Sequence, residues 1–66
     1  MQSRESRLQL ARRHVVEAEL RIIEQELRIP RLMAKGHDTT VAVFLLQTYK
    51  QILDQMLEHL AFEESN

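Results

Sequence analysis

The chain has 66 residues, a formal net charge of −1 and no cysteine. A chain this short forms one small domain, and a core of that size supplies only about 3–5 kcal/mol without a disulfide, a metal or a partner chain. The composition therefore excludes a disulfide scaffold and a thiolate metal site, and the near-neutral charge excludes a general attraction to nucleic acid or anionic membranes. Self-association is the source of further stability that we expect.

The first predicted element is a helix from about residue 4 to residue 35. Leucine, alanine, arginine, glutamate and glutamine dominate this segment, and all are good helix formers. Its start is expected near Ser3 or Ser6. Because Pro30 lacks an N–H and crowds the preceding turn, we expect a kink near Pro30 or a short separate turn from Pro30 to Lys35.

The single glycine marks a turn between two helices. Gly36 suits the left-handed position that follows many helices. Asp38 or Thr39 can accept hydrogen bonds from the first free N–H groups of a second helix, and Asp38 is the preferred cap. We assign His37 to the turn. A connection as short as residues 36–38 makes the flanking helices antiparallel neighbours.

The second predicted helix runs from about residue 39 to residue 63, and a frayed tail follows it. Its apolar residues recur at spacings of four and three, which is the a/d pattern of a helix packed against another helix. The predicted fold is therefore all-α, an antiparallel helical hairpin in a single domain that covers residues 1–66. The a/d positions are Ala42, Leu46, Tyr49, Leu53, Met56 and Leu60.

Helix 1 carries two apolar rows, whereas a hairpin needs one. The first row recurs every seven residues from Leu8 to Ile29, and the second lies about a quarter-turn away. Together they cover about 200° of the helix, which is wider than the ~100° stripe that one neighbouring helix covers. We therefore expect a homodimer in which two hairpins form a four-helix bundle. The residues assigned to the oligomer interface are Val16, Leu20, Ile22, Ile23, Leu27, Leu53, Met56 and Leu60.

Charged residues lie between the two rows and at the ends of the hairpin. Arg12, Glu19 and Glu26 recur every seven residues; they either lie at the edge of the bundle or pair across the dimer. Residues 1–35 carry eight Lys/Arg and five Asp/Glu, a net charge of +3, and residues 36–66 carry one Lys and five Asp/Glu, a net charge of −4. An antiparallel hairpin brings the basic start of helix 1 beside the acidic end of helix 2.

A nucleic-acid-associated accessory protein is the alternative function. The N-terminal arginines can contact phosphate, and a dimer presents them twice. The carboxylates of helix 1 and the lack of aromatic residues among the arginines make nucleic acid the weaker hypothesis. The candidate phosphate contacts are Arg4, Arg7, Arg12 and Arg13.

A metal-binding helical bundle is the least supported function. Di-metal bundles use Glu-x-x-His on facing helices, and neither His14 with Glu17 nor His59 with Glu63 has that order. There is also no nucleophile–base pair and no glycine-rich phosphate loop. We therefore expect no enzyme activity, no metal and no cofactor.

Phe44 and Phe62 are the apolar residues that the helix–helix pattern explains least. They either cover the two ends of the hairpin or, with the outer faces of the helices, dock another protein. The longest apolar run, Val41 to Leu46, is too short to cross a bilayer. The lack of a signal segment and of cysteine favours a cytoplasmic protein without membrane contact.

Residues 14–60 resemble a group of short uncharacterised proteins from rhizobia and related alphaproteobacteria. The shared features are a helix led by a histidine, a Gly-His-Asp-Thr turn and an Ala-x-x-Leu-Leu segment in a second helix. The chain departs from the group at Val41, where glutamate is common, and so lacks a capping-box partner there. The resemblance implies a bacterial helical hairpin and no known activity. The matching positions are His14, Leu32, Gly36, His37, Asp38, Thr39, Ala42, Leu45 and Leu46.

Overall fold

A computed structural model describes residues 6–65 as two helices. Helix α1 spans Arg7–Ala34 and helix α2 spans Thr40–Ser65. The helices pack against each other, and residues 6–65 contain no strand, so the predicted all-α hairpin is confirmed. The Cα atoms extend 48 × 28 × 12 Å. The two helices lie side by side, so the described part of the chain forms a single layer.

Ser6 caps the start of α1. The Gln9 backbone N–H donates to Ser6 Oγ at 3.1 Å, and the Ser6 N–H donates to Gln9 Oε1 at 3.0 Å. This reciprocal pair is a capping box, which gives hydrogen-bond partners to two backbone N–H groups at the start of α1. The helix therefore begins at Arg7 rather than near residue 4. The other candidate for the start, Ser3, lies outside the described residues.

Helix α1 continues through Pro30 to Ala34, so a separate turn from Pro30 to Lys35 does not form. The last turn is held instead by hydrogen bonds beyond the proline. The His37 N–H donates to the Leu32 carbonyl at 2.9 Å, and the Gly36 N–H donates to the Met33 carbonyl at 3.0 Å. These two bonds form a Schellman motif, which ends a helix with a left-handed residue.

The turn places Gly36 in the left-handed region, with a φ of +74°. Asp38 Oδ1 then accepts hydrogen bonds from the Thr40 N–H at 2.9 Å and from the Thr40 hydroxyl at 2.7 Å. Helix α2 begins at Thr40, and the Thr39 carbonyl accepts the first helical bond, from Val43 at 2.9 Å. Thr39 rather than Asp38 is therefore the N-cap residue. Asp38 precedes it, and its carboxylate accepts the hydrogen bonds from Thr40, the first residue of the helix.

Helix α2 reaches Ser65, two residues past its predicted end. The Ser65 hydroxyl donates to the Phe62 carbonyl at 2.9 Å. That bond satisfies one of the terminal carbonyl groups that a helix leaves without an N–H partner. Of the predicted frayed tail, Glu64 and Ser65 are helical, and Asn66 lies outside the described residues.

The core is one seam between α1 and α2. On α1 it follows the heptad spacing from Leu8 to Leu32, and Ala42 is the buried residue of α2. Gln25 also occupies a seam position, is 4% exposed, and donates from Nε2 to the Ala42 carbonyl at 2.9 Å. This bond joins the second half of α1 to the first turn of α2. The buried apolar residues of α1 are Ala11, Val15, Ala18 and Ile22.

Candidate interaction surface

Four large apolar residues form an exposed row on α1, which we call the outer row: Val16, Leu20, Ile23 and Leu27. Each is between 51% and 57% exposed. Their spacings of four, three and four place them on one face of the helix. At 100° per residue this face lies about 140° from the seam, so it points away from α2. The quarter-turn estimated from the sequence was therefore too small.

The other residues assigned to the oligomer interface lie inside the hairpin. Ile22 is buried in the seam, and its neighbours in the seam from α2 are half-buried. These α2 residues pack toward α1 of the same chain, so little of their surface is left for a second copy. The half-buried residues are Leu53, Met56 and Leu60.

Ion pairs join the two helices beside the outer row. Arg12 lies 3.6 Å from Glu64, and Lys50 lies 4.0 Å from Glu26. The first pair brings the basic start of α1 to the acidic end of α2. All four side chains are about half exposed. Exposed pairs of this kind contribute about 0–1 kcal/mol, so they leave Arg12 and Glu26 able to exchange partners.

The aromatic side chains of α2 do not cover the ends of the hairpin. Phe44 is 66% exposed and Phe62 is 63% exposed. Both lie on the side of α2 that is turned away from α1, since their wheel positions are about 150° from the seam. Docking of another protein at Phe44 stays a prediction.

The candidate phosphate contacts differ in their surroundings. Arg7 is exposed in the first turn of α1. Arg12 faces Glu64, and Arg13 lies 3.9 Å from Glu17. Arg4 lies outside the described residues. Carboxylates beside two of the arginines reduce the positive potential that phosphate would meet.

His14 and His59 line one shallow groove together with Ile52 and Met56. His59 Nε2 lies 3.7 Å from Glu63 Oε1. Within residues 6–65, no group of three or more His, Asp or Glu side chains is arranged to hold a metal ion. The third histidine, His37, is exposed in the turn, where its backbone N–H completes the end of α1.

The strongest electrostatic perturbation lies in the turn. Hydrogen bonds from the Thr40 hydroxyl and the Thr40 N–H hold the pKa of the exposed Asp38 carboxyl below its usual value of 3.8. Asp38 therefore stays ionised in mildly acidic solution. Because both bonds serve the start of α2, this shift indicates a structural role for Asp38.

Among the described residues, neither helix is both long and apolar enough to span a bilayer. No family model, curated protein or solved structure matches the chain. The resemblance carried by the Gly-His-Asp-Thr turn stays a prediction. The arrangement that stands out chemically is the outer row of α1.

Proposed function

We propose that this protein is a non-enzymatic interaction module that self-associates through the outer row. The observation that supports the proposal is the exposure of Val16, Leu20, Ile23 and Leu27, more than 50% each, on a face that α2 does not reach. Pairing two outer rows gives a homodimer of four helices, with the two α1 helices in the middle and an α2 on each outer side. The contacts within each hairpin stay unchanged, because the seam faces the opposite way.

The energetic case rests on eight side chains, four from each copy. Burying a large aliphatic side chain completely contributes about 1.5–3 kcal/mol, so each half-exposed member contributes about 1 kcal/mol when the rows meet. Association of two molecules itself costs about 4–15 kcal/mol. The total gain of about 8 kcal/mol exceeds only the lower end of that cost, so a dimer held by the outer row alone is expected to be weak and reversible, with a Kd near the millimolar range.

The same proposal places the module in the cytoplasm. The chain has no cysteine to form disulfides, which agrees with a reducing compartment. The absence of a helix able to span the membrane, among residues 6–65, is compatible with this location. Its role would be to bring together two copies and any protein that is bound to the outer face of each copy.

Substitution of the outer row tests the proposal. Leu27→Asp and Ile23→Asp each place two carboxylates in a dimer interface. The lost apolar burial and the desolvation of the charges amount to at least about 3 kcal/mol per dimer, so Kd should rise by more than about 100-fold. Light scattering at a concentration where the wild-type chain is dimeric should then give the monomer mass, and circular dichroism should show whether helicity falls.

Gln47→Asp is the matched control, because it adds the same charge at an exposed position of α2. This variant should keep the dimer mass of the wild-type protein. If Leu27→Asp and Ile23→Asp remain dimeric with unchanged stability, the outer row is not the contact surface and the proposal is wrong.

A further inference from the structure

We propose that the two α1 helices pair in parallel and in register, with the two-fold axis of the dimer along the helices. This inference rests on the proposed self-association and adds its orientation. It is argued from the charged residues that border the outer row. Six exposed residues occupy the bordering positions: Arg12, Glu17, Glu19, Glu24, Glu26 and Arg31.

Parallel pairing brings opposite charges together on both edges of the row. The spacings of four and three make Leu20 and Leu27 the a positions of the outer row, Val16 and Ile23 its d positions, and Arg13 the preceding a position. In a parallel pair of helices, the residue before each a position faces the residue five places further along the partner. Arg12 then faces Glu17 of the second copy on one edge of the row, and the two-fold axis repeats this pair on the other edge. At the other end of the row, Glu26 faces Arg31 of the second copy in the same way.

The middle of the parallel arrangement is less favourable. Glu19 faces Glu24 of the second copy, which is a contact between like charges. At the start of the row the two Arg13 side chains come near each other, but each already lies 3.9 Å from Glu17 of its own chain. Glu17 can therefore neutralise Arg13 of its own copy and Arg12 of the other.

Antiparallel pairing brings only like charges together beside the row. When Val16 lies opposite Leu27 and Leu20 lies opposite Ile23, the bordering residues of the two chains meet edge to edge. Glu17 then faces Glu24 on one edge. On the other edge Glu19 faces Glu26, so all of the bordering carboxylates repel each other. Like-charge contacts of this kind select against an orientation.

Sliding the antiparallel pair by one heptad removes part of this repulsion at the expense of packing. The shift toward the turn puts Leu20 opposite Pro30 and Val16 opposite Ala34, which are smaller than the residues they replace. It also pairs Glu17 with Arg31 of the second copy, but it sets Glu24 against Glu24 and Glu26 against Glu26 across the interface. The parallel arrangement combines more attractive pairs, Arg12 with Glu17 and Glu26 with Arg31, with contact along the whole outer row.

Disulfide cross-linking tests the orientation, since the native chain has no cysteine to interfere. Val16→Cys and Leu27→Cys lie near the two ends of the outer row. In the parallel dimer each cysteine lies opposite the same cysteine of the second copy. In the central antiparallel dimer the two copies of residue 16 are eleven residues apart along the axis, about 16 Å, whereas a disulfide needs Cα atoms within about 7 Å.

Each variant is oxidised alone and in an equal mixture, and the products are separated by mass. We expect Val16→Cys and Leu27→Cys each to form its own disulfide dimer at least about tenfold faster than the Gln47→Cys control, because contact raises the effective concentration. We expect no disulfide between Val16→Cys and Leu27→Cys chains. The opposite pattern, with cross-links only in the mixture, would overturn the parallel arrangement.

Failure of the orientation can be told apart from failure of self-association. If the reduced variants and the wild-type chain sediment as dimers but neither single variant cross-links above the control, the orientation alone is wrong. If all of them sediment as monomers, both proposals are wrong.

Discussion

Gln25 offers the sharpest test of how the hairpin is held together. It is the buried polar residue of the seam, and its amide nitrogen donates to the Ala42 carbonyl at 2.9 Å. Gln25→Ala removes this hydrogen bond, which contributes about 1 kcal/mol, and leaves a space between the helices. Adding a packing loss of about 1–2 kcal/mol, we expect destabilisation of about 2–3 kcal/mol.

Gln25→Leu separates the hydrogen bond from the packing. The variant loses the same bond, but it fills a similar volume with apolar atoms whose burial contributes about 1.5–3 kcal/mol. We therefore expect its stability to equal or exceed that of the wild-type protein. The Ala42 carbonyl also lies inside α2, where it can accept a helical hydrogen bond, so losing the glutamine does not leave it without a donor.

Urea denaturation followed by circular dichroism, at one fixed protein concentration, measures both variants. Gln51→Ala is the control, because Gln51 is exposed on α2 and its substitution should change stability by no more than about 0.5 kcal/mol. If Gln25→Ala is as stable as the wild-type protein, the Gln25 side chain does not join the helices in solution. If Gln25→Leu is as unstable as Gln25→Ala, the hydrogen bond outweighs the packing and our reasoning on magnitudes is wrong.

Two further predictions concern the turn. Gly36→Ala should destabilise the hairpin by about 1–2 kcal/mol, because Gly36 has a φ of +74° that strains any residue with a Cβ. An added Cβ meets no atom within 4 Å, so the backbone conformation alone causes the strain. Gly36→Asn should lose less stability, and urea midpoints equal to that of the wild-type protein would contradict the left-handed turn. Asp38→Ala should destabilise the hairpin near neutral pH, because the lowered pKa of Asp38 means that its contribution is present above 3.8 and is lost as the pH falls through the lower value in the folded protein. The difference in stability between Asp38→Ala and wild type should therefore shrink in acid, and a difference that is constant with pH would show that the ionised carboxylate is not responsible.

The hairpin itself could be predicted from the sequence because its signals are local. Gly36 ends one helix, and Asp38 and Thr39 begin the next within a few residues. The spacing of apolar residues then identifies the seam on both helices. The predicted bounds differ at the helix ends: the Ser6–Gln9 capping box fixes the start of α1 at Arg7, and α2 continues to Ser65.

Two features of the packing could not be predicted by searching for apolar residues alone. Gln25 was missed because it is polar, although its spacing of three from Ile22 and four from Ile29 continues the heptad of the seam. The position of the outer row was misjudged for another reason. At 100° per residue the sequence itself places the outer row about 140° from the seam, so the quarter-turn was an underestimate of the angle between the two rows.

Sedimentation equilibrium of the wild-type chain at concentrations from micromolar to millimolar tests the central claim most directly. We predict a reversible equilibrium in which the average mass rises from that of the 7.8 kDa chain toward twice that value as the concentration increases. A fully helical, cooperatively folded species that keeps the mass of one chain at every concentration would contradict it, because the outer row of α1 would then be stable in water without a second copy.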